Sequence, residues 1–485
     1  MADSEALGTP AAQSQTEEVV AAPGRYSQQL NRSIGILGNI FITLSGVTPA
    51  SSVFIIAPVA LVAAGSGSFL AFVFAAIVGV FMAFCWAELS AAYPIAGGDY
   101  ALVWHSFKGR SSWLAGPLSF VTFALYVDFI AFIPAVIALG TGTYLNVVVT
   151  LNAKVLGAIV MIVAAGIAIL NIRLNAVITG IFLAIELAAL AAVTILGFTH
   201  VHHASTLLHP VVGGAHGTLV HVTFTAVLAL TAVAVFSYNG YANAVNFSEE
   251  TTGSSRKIAR AILWSLVITV AAELIPITAV ILGSPSVAKL SQSAVPMRYF
   301  IEATSNNTVN TILSIGVVIA ILNAVIAIIL GYGRIFFSSG RDRAWPGPIN
   351  DWMTAVNKFK SPWFPTALVG VLGAIMCLTV SLNTLVNLTG ASLVADYALI
   401  ALAALFARPT GATADSPYKM PLWPLPPILA LASLGYIFTQ QTALLLRVTL
   451  ITIAIGLVYW AVVILPQHGR AWNLLDAAVD EDEPQ

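Results

Sequence analysis

Long apolar runs separated by short polar segments dominate the chain. Twelve runs reach the roughly 17–25 residues that a helix needs to cross a bilayer. Numbered as segments 1 to 12, they cover residues 34–64, 68–92, 112–144, 154–172, 175–199, 223–250, 258–283, 308–338, 365–381, 384–406, 422–440 and 444–466. The pattern predicts an all-α membrane protein with twelve transmembrane helices and both termini on one side.

Two of the apolar segments are interrupted by polar and backbone-loosening residues. Segment 1 contains SGVTPASS at residues 45–52, and segment 6 contains FSYNGYANAVNFSEE at residues 236–250. Gly240 has no side chain and favours an unwound turn. Backbone that leaves a helix at membrane depth is tolerated only where it is buried in protein or lines a cavity. The alternative is a tightly packed polar interface between continuous helices.

The two interrupted segments are five spans apart, which predicts a repeat. An odd number of spans inverts the second copy, so segments 1–5 and 6–10 form an inverted five-plus-five core with broken helices 1 and 6. The predicted divisions are a disordered tail at 1–30, the core at 31–407, segments 11 and 12 at 408–467, and an acidic tail at 468–485. Segments 11 and 12 are expected to pack peripherally or to form a homodimer interface.

The composition agrees with a membrane protein and excludes several other classes. The chain has 485 residues, of which 58% are hydrophobic and 8% charged, whereas soluble domains are about one quarter charged. A net charge of −1 gives no reason to expect a nucleic-acid partner. Cys85 and Cys377 both lie in apolar runs, so no disulfide framework is predicted. The sequence predicts no cofactor and no metal.

The positive charges indicate the orientation of the chain. With the termini inside, sixteen of the twenty Lys and Arg residues fall on the cytoplasmic side. The other face receives Lys154, Lys289, Arg298 and Arg447. This bias follows the positive-inside rule and predicts a multi-pass protein of the cytoplasmic membrane with both termini in the cytoplasm.

The interruption in segment 1 has the residues that start a new half-helix. Thr48 is a good N-cap and Pro49 is favoured at the first helical position. Gly46 is expected to supply the loose turn before them. The free amides and the positive dipole end of the second half-helix would then face the cavity.

Three strings outside the apolar cores, together with the middle of segment 6, carry a family resemblance. They read ELSAAYPIAGGDY at 88–100, SEETTGSSRKIARAI at 248–262 and RIFFSSGRDRAWP at 334–346. With FSYNGYANA, they resemble the amino acid permeases of the amino acid–polyamine–organocation superfamily over segments 1 to 10. The family usually has Gly–Ser–Gly before Ile–Phe in helix 1, whereas Ala50-Ser51-Ser52 precede Val53-Phe54 here.

This resemblance implies a substrate site built from both broken helices. The amides of Ala50, Ser51 and Ser52 suit a carboxylate, and carbonyls around 43–46 and 236–238 suit an ammonium group. Aromatic residues of segment 6 either wall the pocket or pack between helices. The candidate substrate-binding residues are Ser45, Gly46, Thr48, Ala50, Ser51, Ser52, Phe236, Ser237, Tyr238, Asn239, Gly240 and Tyr241.

Four acidic residues lie near the middle of predicted spans, namely Asp128, Glu186, Glu273 and Asp396. A charge at that depth costs at least about 2.5–3.5 kcal/mol, so each is a functional candidate. Glu186 occupies the position where several relatives place a Lys that stands in for sodium, so it is a candidate carrier of a coupling proton. The alternative is a neutral, structural Glu186. Asp128 is a second coupling candidate that could pair with a cationic substrate.

Charged residues also gather at the predicted cytoplasmic mouth. Glu249, Glu250, Arg256, Arg341 and Asp342 form either a salt-bridged inner gate or ordinary surface pairs. Six of the eight histidines lie in the loop before segment 6, at His200, His202, His203, His209, His216 and His221. Histidines at this spacing can bind a metal, although a solvated polar loop explains the cluster equally well.

The resemblance implies a secondary transporter that moves amino acids by alternating access, driven by protons or by exchange. An amine or polyamine transporter of the same fold is the alternative. A transporter-like sensor is less well supported, because the sequence has no soluble signalling domain. No enzyme activity is expected, because no nucleophile–base pair or phosphate-binding loop is present.

Overall fold

The computed structural model describes residues 26–476 except 28, 31, 110–111, 146–150, 171, 203, 254 and 468. Its α-helices are α1 Ile36–Val47, α2 Pro49–Ser51, α3 Ala57–Ala64, α4 Ser68–Ala92, α5 Asp99–Phe107, α6 Ser112–Leu145, α7 Ala153–Ala168, α8 Ile172–Thr199, α9 Phe224–Ser237, α10 Arg256–Gly283, α11 Val287–Gln292, α12 Pro296–Thr304, α13 Asn307–Arg341, α14 Ile349–Met353, α15 Trp363–Thr379, α16 Leu382–Ala407, α17 Leu425–Thr439 and α18 Ala443–Tyr459. One antiparallel hairpin pairs β1 Val211–Gly213 with β2 Leu219–His221.

The described helices have the lengths that a membrane protein requires. Eight helical stretches in this part of the chain are long and apolar enough to span a bilayer, and three shorter apolar helices accompany them. Helical residues occupy all twelve predicted segments, while the number that cross the membrane stays a prediction. One boundary was wrong: α7 ends at Ala168, and Ile172, the last residue assigned to segment 4, begins α8.

The first predicted interruption is a real break, but its turn lies two residues later than expected. Gly46 is helical within α1, and the left-handed residue is Thr48 at φ 54°. Pro49 explains the shift, because it has no N–H to continue the helix and it disfavours the helical conformation of the residue before it. The chain then continues through α2, a π-helical turn at Ser52–Ile56, and α3.

The second break follows α9 and depends on a glycine. Gly240 has φ 114°, and a 3₁₀ helix at Tyr241–Glu250 follows it. A Cβ atom on Gly240 would lie 3.2 Å from the Cα of Val47. The turn of the second break therefore packs directly against the end of α1, which brings the two interruptions together.

Both ends of the described chain fold back onto the protein. Tyr26 and Leu30 are 5% and 2% exposed, and Trp472 and Leu474 are 2% and 0% exposed. The backbone N–H of Tyr26 donates to the carbonyl of Asp476 at 3.0 Å. The predicted tails at 1–30 and 468–485 therefore have buried apolar residues at their inner ends. Residues 1–25 and 477–485 lie outside the described part. We call the face that carries Tyr26 and Trp472 the terminal face.

The loop before α9 contains the histidine cluster. His200, His202, His209, His216 and His221 are exposed, and His203 lies outside the described residues. Among the described residues, no group of three His, Cys, Asp or Glu side chains is placed to hold a metal.

Gly240→Ala is expected to lower the free energy of unfolding by about 1–2 kcal/mol, the cost of a left-handed conformation for a residue with a Cβ atom. Gly166→Ala in α7 is the matched control, because nothing lies within 4 Å of its Cβ position. Unfolding of the purified proteins, followed by denaturant titration, gives the comparison. Equal stability of the two variants would show that the turn does not need a glycine.

Candidate functional site

A small cavity lies between the two breaks. Its volume is about 10 Å³, which is near the minimum that holds one water molecule. Of the predicted site residues, it is lined by Gly46, Thr48, Phe236, Ser237, Asn239 and Gly240. The sequence analysis missed the other side chains that close it, among them Ile133, Ile137, Asn243, Ile328 and Tyr332. In this conformation the cavity has no room for a molecule larger than water.

Glu186 of α8 binds the start of the second half-helix. Its Oε1 accepts the backbone N–H of Ala50 at 2.7 Å and the hydroxyl of Thr48 at 3.3 Å. The side-chain amide of Asn323 donates to Oε2 at 3.4 Å. Thr48 is at the N-cap position, yet its side chain does not cap the helix. The protein's own carboxyl group thus occupies an amide that the sequence analysis assigned to the substrate carboxylate.

Glu273 of α10 lies on the other side of the same segment. The hydroxyl of Ser237 donates to its Oε2 at 2.6 Å, and the hydroxyl of Ser52 donates to the Ser237 carbonyl at 2.8 Å. No described residue donates a hydrogen bond to the buried Oε1. A buried charge without partners is costly, so this environment favours a neutral carboxylic acid. The sequence analysis noted Glu273 as an intramembrane acid but gave it no role.

Other predicted site residues are buried behind the cavity rather than in it. Tyr238 packs edge-on against Phe72 at 5.5 Å, and Tyr241 packs against Trp86 at 5.6 Å. The hydroxyl of Ser45 donates to the carbonyl of Thr179 at 3.2 Å. For these three residues, helix packing is the contact that the structure describes.

Ser51 and Asn239 differ in what their polar groups contact. Ser51 is fully buried, and its hydroxyl has no partner among the described residues. The side-chain oxygen of Asn239 accepts the hydroxyl of Tyr397 at 2.8 Å. Ser51 therefore has a free hydrogen-bonding group next to the cavity wall formed by Thr48.

Asp128 does not reach the cavity. The hydroxyl of Thr452 in α18 donates to its Oδ2 at 2.9 Å, and that of Ser392 lies at 3.5 Å. The structure therefore places Asp128 between α6 and α18, and it does not line the small cavity.

Two buried ion pairs close the terminal face below the site. Arg334 donates to both carboxylate oxygens of Glu250, with the Nη2–Oε1 distance at 2.8 Å, and both side chains are at most 1% exposed. Arg341 forms a two-point pair with Glu249 at 2.8 and 2.9 Å. Arg256, which the sequence analysis also assigned to this mouth, is exposed and forms no ion pair with a described residue.

Asp342 completes the closure by holding the N-terminal segment. It accepts hydrogen bonds from the hydroxyls of Tyr26 and, at 2.7 Å, Tyr100. The guanidinium of Arg341 lies 3.6 Å from the centre of the Tyr26 ring. Burial raises the pKa of Asp342 to about 6, even though Arg341 and the two hydroxyls favour its charged form. The predicted gate therefore includes the N-terminal segment, which the sequence analysis had treated as a tail.

The three strings that carry the family resemblance meet at this face. The backbone N–H of Ala96 donates to Glu249 at 3.0 Å, which joins the first string to the second. The second and third strings are joined by the Glu249 and Glu250 ion pairs. Glu88 of the first string instead pairs with Arg408 at 2.8 Å and accepts the backbone N–H of Met420.

A larger cavity opens on the opposite face. Its volume is about 590 Å³, and its lining includes Phe54, Ile55, Tyr144 and Asn387. The hydroxyl of Tyr144 donates to the carbonyl of Phe54 at 2.6 Å. Ile56 lines the small cavity, so the π-helical turn lies between the two spaces. This turn therefore separates the small cavity from the larger one.

Paired helix breaks that enclose a buried site within a helical bundle are typical of secondary transporters. A comparison with family models gives a match to the amino acid permease family over residues 38–473, so the chain belongs to that family. It is a multi-pass membrane protein of a transporter family.

Curated relatives are similar over most of their length. A protein named as an uncharacterised transporter of Mycobacterium tuberculosis is 27% identical over 79% of this chain and 82% of its own. The methylthioribose transporter of Bacillus subtilis is 23% identical over 79% of this chain and 83% of its own length. The branched-chain amino acid permease BcaP of Bacillus subtilis is 21% identical over 87% of this chain and 92% of its own length.

Glu250→Ala is expected to lower the free energy of unfolding by about 3–5 kcal/mol, because it leaves Arg334 charged and buried without its partner. The control is Glu302→Ala, which breaks the exposed pair with Arg298 and should cost no more than about 1 kcal/mol. Denaturant unfolding of the two variants measures both effects. Similar small losses would indicate that water reaches the Arg334 pair.

Proposed function

We propose that the protein is a secondary active transporter that carries amino acids across the cytoplasmic membrane by alternating access, with a proton as the coupling ion. The supporting observation is the hydrogen bond from the Ala50 N–H to Glu186. It places a titratable group of the protein at the helix end that suits a substrate carboxylate.

The contact gives a physical reason for coupling. A substrate carboxylate that binds the Ala50 amide must replace Glu186 or lie beside it. At about 4 Å, two negative charges repel by about 4 kcal/mol at an effective permittivity of 20. Protonation of Glu186 removes this repulsion, so the proton and the substrate each increase the affinity for the other.

Acceptors for the substrate ammonium group are available at the same break. The carbonyl of Ser45 has no helical donor four residues later, because Pro49 lacks an N–H. The end of α9 supplies further carbonyls at the second break. This division between backbone donors and backbone acceptors allows one site to accept side chains of different shapes.

Alternating access requires the terminal face to open. We propose twelve spans in two inverted repeats, with the terminal face in the cytoplasm. The Glu249–Arg341 and Glu250–Arg334 pairs and the Asp342 contacts then form the inner gate. Their separation would open the cavity to the cytoplasm, while the vestibule near Phe54 and Tyr144 would close.

The same hydrogen bond also favours a second candidate. If Glu186 keeps the Ala50 amide throughout the cycle, the substrate does not need a carboxylate. An amine would then bind beside an ionised Glu186, and protons would oppose its binding instead of favouring it. An uncharged polar substrate is compatible too, and one relative is named as a methylthioribose transporter.

A thermal-stability panel separates these candidates, because a ligand that binds the folded state raises the unfolding temperature. The probes are leucine, isoleucine and valine, their decarboxylated amines, and methylthioribose. An amino acid transporter should be stabilised by an amino acid, more strongly at lower pH. Stabilisation by an amine, more strongly at higher pH, would instead support the second candidate. If none of these three amino acids stabilises the protein, the panel is extended to the other standard amino acids, and the absence of stabilisation by all of them contradicts the first proposal.

Glu186→Gln is expected to separate binding from coupling. The neutral amide imitates the protonated acid and cannot titrate, so substrate binding and exchange across proteoliposomes should persist. Accumulation driven by a pH gradient should be lost, because no proton is carried with the substrate. Uptake and exchange of radiolabelled substrate give the two readouts.

Asp128→Asn is the matched control, since it neutralises a partly buried acid that contacts α18 instead of the cavity. It should retain both activities. Accumulation by Glu186→Gln under a pH gradient would assign Glu186 a structural role. Uptake by the wild type that requires sodium and ignores pH would contradict proton coupling itself.

A further inference from the structure

Residues 470–476, which we call the strap, cross the terminal face after α18 without forming a helix. Ala471, Trp472 and Leu474 are at most 4% exposed, whereas Arg470 and Asn473 are exposed. The apolar side chains of the strap therefore lie against the protein, and its polar side chains face away from it. A segment without the internal hydrogen bonds of a helix is held in place by the groups that it contacts.

Trp472 is the anchor of the strap. Its ring centre lies 5.0 Å from that of Tyr100 in α5, and 4.8 and 5.5 Å from those of Phe120 and Phe123 in α6. Its indole N–H donates to Oγ of Ser119 at 2.8 Å. The Trp472 side chain therefore fills a pocket between α5 and α6.

The strap is also hydrogen-bonded to the parts of the chain that close the terminal face. The backbone N–H of Trp472 donates to the carbonyl of Asp342 at 2.8 Å, and the carbonyl of Asp476 accepts the N–H of Tyr26 at 3.0 Å. The Asp342 side chain accepts the Tyr26 hydroxyl. Because residues 26–35 lead into α1, the strap joins the entry to the first broken helix with the end of α13.

The backbone of Trp472 has a conformation that its contacts must maintain. Its φ of 54° is left-handed, which is unfavourable for a residue with a Cβ atom. Such positions persist only where the surrounding structure holds them, and they are frequent in switch regions. Detachment of the strap would release this strain, which opposes the contacts that hold Trp472 in its pocket.

We propose that the strap is an autoinhibitory device: while Trp472 occupies its pocket the terminal face stays closed, and the face opens only after the strap has detached. The strap acts beside the gate pairs, because Arg334 and Arg341 precede Asp342 on α13 and bind glutamates of another element. Opening must therefore break both sets of contacts. This inference rests on the proposed opening of the terminal face and does not depend on which substrate is carried.

Cysteine labelling of the purified protein tests the proposal. Ser248 precedes the gate residue Glu249, is 6% exposed, and has no partner for its hydroxyl among the described residues. Ser248→Cys therefore supplies a reporter that N-ethylmaleimide reaches when the face opens. In this background, Trp472→Ala should raise the labelling rate of the reporter about tenfold or more, because truncation of a buried aromatic side chain removes a large stabilising contribution.

Two controls separate opening of this face from other effects. Trp352→Ala truncates a tryptophan of α14 that is 54% exposed, and it should leave the labelling rate unchanged. Cys377 is buried, with its Sγ 3.7 Å from the carbonyl oxygen of Ala135 in α6. Mass spectrometry of the labelled peptides measures Cys377 separately, and its labelling should stay slow in Trp472→Ala.

If Cys377 is labelled as fast as the reporter, the Trp472→Ala protein has unfolded, and Ser119→Ala decides. This variant keeps the Trp472 ring but removes the acceptor of its buried indole N–H. The labelling rate of the reporter should then rise about fivefold or more, because a buried donor without a partner is costly. General unfolding of Ser119→Ala as well would overturn the proposal, since the strap would then be a fixed part of the fold.

A reporter rate at or below that of the wild type in a folded Trp472→Ala protein would overturn the proposal. Arg341→Gln, which breaks the gate pair with Glu249, then identifies what has failed. If Arg341→Gln raises the rate, the face opens and the strap does not hold it closed. If neither variant raises the rate, the face does not open, which contradicts the proposed alternating access as well as the strap.

Discussion

A backbone N–H inside a membrane needs an acceptor, and the structure depends on how the break in the first helix meets this need. Pro49 interrupts the hydrogen-bond ladder, and the next free donor is the N–H of Ala50. Because no water is available in the bilayer core, the donor must find protein or substrate. The acceptor is the carboxyl group of Glu186. The free-energy cost of burying this group is offset by the bond from Ala50 and by the bonds from the Thr48 hydroxyl and the Asn323 amide. The break and the buried acid therefore stabilise each other.

The terminal face shows a different use of buried charge. The free energy needed to remove the charges of Arg334 and Glu250 from water is about as large as the free energy gained from their attraction. These pairs therefore add little net stability. They do specify geometry, since a two-point guanidinium contact fixes the relative position of two helices. Asp342 extends this arrangement to the N-terminal segment through Tyr26. Such contacts can separate at modest cost in free energy, provided that water replaces each partner.

Two buried acidic groups lie near the helix breaks, and their partners differ in kind. Glu186 bonds to a backbone amide, and Glu273 bonds to a serine hydroxyl. Neither contact supplies a full positive charge. Protonation is the remaining way to remove a negative charge from such positions, whereas Glu249 and Glu250 are paired with arginines.

The sequence by itself determined the class of the protein, the approximate helices and the positions of both breaks. The length of an apolar run is enough to predict a helix that crosses the bilayer. Pro49 and Gly240 change the backbone at their own positions, so the breaks can be predicted without tertiary information. Only the tertiary structure decided which polar groups meet. Glu186 and Ala50, or Arg334 and Glu250, are far apart in sequence, and nothing in their local pattern encodes the partner. For the same reason, the sequence could not show that Asp128 contacts α18 or that Arg256 is exposed.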